Sequence, residues 1–203
     1  MTPMGKFNAY RLLKPAFLLL VLIAPPDVRA QRRGSIEDNG IRFQVSDSSG
    51  VTTSYISRFG DSAAIPSMVT ITGRTFTPLT MKGKTIVYNF WFTSCKPCVA
   101  EIPALNMIVK KYTSDSLIFI AITFDEKDKI DLFLKKIPFD FQIVHMPMAD
   151  MQKIKKVLLY PMTMLVNKYG KIDFVSFGRL PGDDPVTGIF NLLDTNIRKA
   201  LLN

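Results

Sequence analysis

Histidine is almost missing from this chain: His145 stands alone among 203 residues. A zinc site takes four ligands, drawn chiefly from cysteine and histidine. One histidine and two cysteines leave such a site short of ligands. Two cysteines also exclude a scaffold in which several bridges substitute for a core. No apolar run reaches the roughly 20 residues that span a bilayer as a helix. Runs of five or more basic residues, internal repeats and low-complexity tracts do not occur.

What is there is a globular composition, 47% hydrophobic and 21% charged, which excludes disordered, collagenous and coiled-coil chains. The length suits one domain with a substantial core. The net charge is +9, and much of it falls in the lysine doublets 110–111, 135–136 and 155–156. Doublets in amphipathic segments read as solvated helix faces, so nucleic acid is not expected as a partner.

Residues 1–30 have the make-up of a secretory signal. Lys6, Arg11 and Lys14 precede the apolar run Ala16 to Ala24, then Pro25-Pro26 and the small-residue pattern Val28-Arg29-Ala30. An uncleaved interfacial anchor is the other use of such a segment. With Lys6, Arg11, Lys14 and Arg29 set against Asp27, three of the nine net charges lie here. The expectation is an exported chain beginning at Gln31, periplasmic or otherwise extracytoplasmic, soluble and without a membrane span. Residues 31–65 follow as a weakly structured lead-in with one strand-like stretch, Ile41 to Val45. Residues 66–203 are read as the main domain.

From residue 84 the pattern is regular. Thr85 to Phe92 and Leu117 to Phe124 are continuous apolar runs, the signature of strands buried on both faces. Cys98, Ile102, Leu105, Val109 and Tyr112 share one face of a helix. A helix over Lys127 to Ile137, with Asp125 placed to cap it, precedes a short strand, Phe139 to Val144. Met151 to Leu159 is helical up to Pro161. Met162 to Asn167 and Ile172 to Ser176 form a hairpin about Gly170, and a last helix starts at Pro185. Strands joined by helices pair in parallel, and the hairpin adds antiparallel pairing. The fold class is α/β, a mixed central sheet flanked by helices with an N-terminal β extension.

Both cysteines sit where a buried strand hands over to a helix: Cys95-Lys96-Pro97-Cys98. Residues i and i+3 share a helix face, close enough for a sulfur–sulfur bond. Free N–H groups and the helix dipole stabilise negative charge at that end, and the thiolate is the nucleophile. Cys95, at the helix start beside Lys96, is expected to be the reachable, attacking sulfur. Cys98, one turn inside, is expected to be the buried resolving thiol. A static structural bridge is the competing reading, but a loop this short constrains the unfolded chain little. A C-x-x-C beside a βαβ pattern favours redox work.

The segment Phe90-Trp91-Phe92-Thr93-Ser94-Cys95-Lys96-Pro97-Cys98, followed by Glu101-Ile102-Pro103, resembles the active site of the thioredoxin superfamily. More narrowly it is similar to exported TlpA/ResA-type thiol–disulfide oxidoreductases, from about Ser67 to Gly178. The resemblance implies the thioredoxin fold and a redox-active disulfide, Cys95–Cys98. It implies a catalytic Glu101 near the dithiol, a cis-proline at Pro161 after Tyr160, and a substrate rim of Trp91, Lys96, Pro97, Tyr160 and Pro161. It further implies disulfide-bearing protein substrates and an upstream membrane thiol reductant, without cofactor or metal; cytochrome c maturation is among the roles it suggests. Asn89 departs from the pattern, standing where thioredoxin carries a buried aspartate, so a proton relay falls to Glu101 or water. Lys-Pro between the cysteines lacks the histidine of strongly oxidising relatives, which favours a reductant.

Two rivals remain. A copper chaperone or partner-binding module on the same fold would need Cys95, Cys98 and His145 to converge on one ion. A thiol peroxidase pattern would require Pro and Thr where Tyr88 and Phe92 stand. The methionines Met146, Met148, Met151, Met162 and Met164 read as core filler and groove lining.

Overall fold

The computed structural model describes residues 31–37, 40–46, 52–58, 60–63, 66–154, 159–178 and 184–202. The signal segment expected at 1–30 lies outside the described residues.

Three antiparallel strands, β1 (Gln31–Glu37), β2 (Gly40–Ser46) and β3 (Thr52–Arg58), form a sheet in chain order. They form the N-terminal β extension expected for the fold, and the strand-like stretch Ile41 to Val45 lies in β2. In β1 and β3, Thr, Ser, Ile and Tyr carry strand propensity without the apolar alternation that reveals a half-buried strand. A short hairpin, β4 (Met68–Val69) and β5 (Thr75–Phe76), turns at Gly73, whose φ of +88° is readily reached by glycine. One helical turn, α1 (Pro78–Met81), follows, begun by a reciprocal Thr77–Thr80 capping box and by Pro78.

The main sheet has five strands in the order β10-β9-β6-β7-β8. They are β6 (Thr85–Phe90), β7 (Leu117–Thr123), β8 (Gln142–His145), β9 (Met162–Val166) and β10 (Ile172–Phe177). β6, β7 and β8 run parallel, and β9 pairs antiparallel with both β6 and β10. Every residue of β6, β7 and β9 is buried, as the continuous apolar runs require. Its helices are α2 (Lys96–Lys111), α3 (Lys127–Leu134), α4 (Met148–Ile154) and α5 (Pro185–Leu202).

Alternate residues of the strands feed two cores. Val87, Ala121 and Leu165 pack with Ile102, Leu105 and Ile108 of α2, Ile130 of α3, and Ile189, Leu193 and Ile197 of α5. Ile86, Tyr88, Phe90 and Ile120 pack with Met81, Met146, Met151, Met162 and Met164 on the other face. Met146, Met151, Met162 and Met164 are therefore core, as read from the sequence, while Met148 is half-buried and outside this cluster. The dithiol belongs to the first of these cores.

Candidate active site

β6 ends at Phe90, and Phe92-Thr93-Ser94 turns the chain into α2. The Cys95 N–H donates to the Phe92 carbonyl at 3.0 Å, closing that turn. Cys95 is the N-cap of α2, with extended backbone, and its Sγ accepts the Cys98 N–H at 3.3 Å. Cys95 and Cys98 are joined as a disulfide, with their Cα atoms 5.2 Å apart. A thiolate in the Cys95 position would keep that N–H donor and the positive end of a 16-residue helix. Cys95 is 5% exposed and Cys98 2%. Both sulfurs are buried in this disulfide form, so the reachable Cys95 expected from the sequence is not seen, while its neighbours Ser94, Lys96 and Pro97 are exposed.

Glu101 follows Cys98 by one turn and is 3% exposed, with no hydrogen bond or ion pair to any described residue. Burial pushes its carboxyl up to about 7. Such a group exchanges protons at neutral pH. Buried Asn89 donates from Nδ2 to Thr163 Oγ1 at 3.0 Å, tying β6 to β9 with a pair that does not titrate in this range.

The Tyr160–Pro161 peptide is cis, as the resemblance implies. Pro161 is buried, its carbonyl accepts the Gly178 N–H at 3.0 Å, and a Cβ on Gly178 would meet its ring at 3.7 Å. The half-buried Tyr160 ring lies edge-on to Phe92, centroids 5.3 Å apart, which joins the proline loop to the turn before Cys95. Its hydroxyl reaches the sulfurs of Met151 and Met148, at 3.5 and 3.8 Å. Trp91 does not line a rim. It is fully buried against Phe133 and Phe139, and its indole N–H lacks a partner. The reason is register: Trp91 continues the inward alternation of β6, and its backbone N–H still pairs with the Ile122 carbonyl of β7.

Asp125 has a place that the sequence reading missed. It was expected to cap α3, yet the N-cap is Glu126 and makes no side-chain bond there. The Asp125 carboxylate accepts the Thr93 N–H at 2.6 Å and pairs with Lys129 at 2.5 Å. Nothing short of the parallel register of β6 and β7 brings those loops together, so local spacing carried no signal. His145 Nδ1 lies 2.7 Å from the Asp125 carbonyl. Among the described residues no group of three or more His, Cys, Asp or Glu is placed to hold a metal ion, so the convergence a copper site needs is not seen.

A five-stranded mixed sheet with a paired C-x-x-C at the β6–α2 junction and a cis-proline ahead of the closing hairpin defines the class: a thioredoxin-fold dithiol oxidoreductase. The chain belongs to the AhpC/TSA family, whose model matches residues 60–175. Thioredoxin-like protein YneN of Bacillus subtilis is 28% identical over 124 residues, which is 60% of this chain and 72% of that protein. The thiol–disulfide oxidoreductase ResA of Bacillus thuringiensis subsp. konkukian is 34% identical over 92 residues, 45% of this chain and 53% of the relative. This chain thus spans about half the length of the ResA proteins it matches. Among solved structures, the thioredoxin domain of a thiol–disulfide oxidoreductase from Bacteroides vulgatus aligns with a TM-score of 0.56 at 20% identity, over 68% of this chain and 97% of that domain. Likeness at that identity shows the fold alone.

Proposed function

We propose that this chain is an extracytoplasmic thiol–disulfide oxidoreductase that reduces disulfides of specific partner proteins. The observation that carries the reading is the Cys95–Cys98 disulfide at the head of α2, with Cys95 as N-cap and the Cys98 N–H on its sulfur. Starting from the dithiol, the Cys95 thiolate attacks one sulfur of a partner disulfide. A mixed disulfide forms and the other partner sulfur leaves as a thiolate, which takes up a proton. Cys98 gives its proton to Glu101 or water and attacks Cys95 Sγ, so the second partner sulfur leaves reduced and the Cys95–Cys98 bond forms. Two electrons pass to the partner, and a membrane thiol reductant must return them.

The exposed neighbours Ser94, Lys96 and Pro97 offer a surface that a partner would meet at the head of α2. Export follows from the reading of residues 1–30, and no helix among the described residues is long and apolar enough to cross a membrane.

The test is trapping. A Cys98→Ala variant should accumulate covalent partner adducts that dithiothreitol releases, and Cys95→Ala should accumulate none. Adducts that form equally well without Cys95 would overturn the scheme.

A further inference from the structure

Both oxygens of the Asp125 carboxylate are engaged, and neither accepts a backbone N–H of the helix that Asp125 precedes. One accepts the Thr93 N–H at 2.6 Å; the other pairs with Lys129, whose side chain is 53% exposed. The rest of Asp125 is held rigidly to the sheet. Its N–H donates to Thr123 Oγ1 at 3.1 Å, and its carbonyl accepts His145 Nδ1–H at 2.7 Å. The Thr123 carbonyl in turn accepts the Met146 N–H at 2.8 Å, so this strand end is anchored to β8. Thr93, by contrast, sits mid-turn, and no other described acceptor takes its amide.

A buried carboxylate that remains ionised is an unusual element to find 4% exposed. Burial alone would raise its pKa, but the bonds from Lys129 and Thr93 outweigh that and hold it below the ordinary carboxylate range. At neutral pH it is therefore a charged acceptor, the kind that holds an N–H most strongly. The amide it holds belongs to the turn that delivers Cys95.

We propose that Asp125 is a positioning residue for the dithiol: through the Thr93 amide its carboxylate fixes the Phe92–Ser94 turn, and so sets Cys95 at the N-cap of α2 and tunes the thiol–disulfide equilibrium. The inference rests on reading Cys95–Cys98 as a redox couple. The link to that equilibrium is electrostatic. The reduced form carries a thiolate at Cys95 that needs the Cys98 N–H and the helix end; the disulfide carries no charge there. A turn that drifts weakens those contacts and so costs the reduced form more than the oxidised one. Loosening it raises the Cys95 pKa and favours the disulfide.

The experiment is equilibration with glutathione, together with titration of the Cys95 thiol, for the wild-type chain, Asp125→Ala and Asp125→Asn. Asp125→Ala should move the equilibrium towards the disulfide about three- to tenfold, the net worth of one hydrogen bond. It should raise the Cys95 pKa in step. Asp125→Asn keeps a side-chain carbonyl for Thr93 but loses the charge that strengthens the bond, so its shift should fall between wild type and Asp125→Ala. Equal shifts in Ala and Asn, or none in Ala, overturn the proposal. If Asp125→Ala does not fold, hydrogen exchange at the Thr93 amide decides: protection in wild type and in Asp125→Asn supports it, and exchange as fast as an open loop in wild type overturns it. A wild-type pair that fails to equilibrate with glutathione overturns the redox reading itself, and the tuning with it, while the Thr93 amide still reports whether the clamp exists.

Discussion

A carboxyl that titrates near neutrality inside a core affects stability as well as chemistry, and Glu101 does both. Its folded pKa of about 7 exceeds its ordinary 4.5. The folded state then holds the proton more tightly, so stability is unaffected below about pH 4.5 and falls as pH rises towards 7. Above pH 7 the loss is complete, at most about 3 kcal/mol on this shift. Glu101→Gln should flatten the pH dependence of the urea midpoint between those limits and raise it above pH 7, and denaturation at pH 4.5 and 7.5 checks this. An unchanged profile would mean that the carboxyl is solvated. The same change should move the thiol titration, because an ionised Glu101 opposes a thiolate at the dithiol. Glu101 was legible as a motif position one turn past Cys98. Its burial was not, because a helical glutamate usually points to solvent. Trp91 misled in the opposite sense: the active-site motif suggested a rim, while strand alternation alone would have put it inside.

Between elements, the seam of α2 and α5 is pinned by a single carboxylate. Asp194 accepts the Tyr112 hydroxyl at 2.6 Å and pairs with Lys111 at 2.6 Å and Arg198 at 3.1 Å. The two cations are largely solvent-exposed and contribute little, so the Tyr112 bond dominates. Asp194→Ala should cost about 1–3 kcal/mol by chemical denaturation. Asp194→Asn keeps an acceptor for Tyr112 and should cost less than half as much. Element type and order from β6 to α5 were readable because buried strands and amphipathic helices differ in period. Boundaries shifted: the strand expected at Phe139 to Val144 is Gln142–His145, and the helix expected from Met151 begins at Met148. Short or polar elements were legible only in part. The α1 turn was announced only by Thr77-Pro78, and of β1 to β3 only the Ile41 to Val45 stretch of β2 alternated enough to read as a strand. Asp125 preceded a helix and so resembled a cap; its real acceptor role needs the fold.

On the scale of the whole molecule, the dithiol is part of the core that holds α2, α3 and α5 against the sheet, so its redox state and its stability are coupled. Folding and oxidation form a closed thermodynamic cycle. If the folded couple lies below that of the unfolded chain, the oxidised fold is the more stable one, by about 1.4 kcal/mol for each 30 mV. A reductant should therefore unfold at higher urea when oxidised than after dithiothreitol treatment. The reverse order of midpoints would mark the couple as oxidising.

Both rims of the five-stranded sheet are occupied over part of their length. Gly60, Ser62 and Ala63 pair alongside Gly170 to Ile172 at β10, while Thr70 and Ile71 pair with Val144 and Ile143 at β8. Open rims are templates on which one copy of a protein adds to the next. Here such stacking finds its starting points already taken, so copies of the chain gain little purchase on one another's sheet rims.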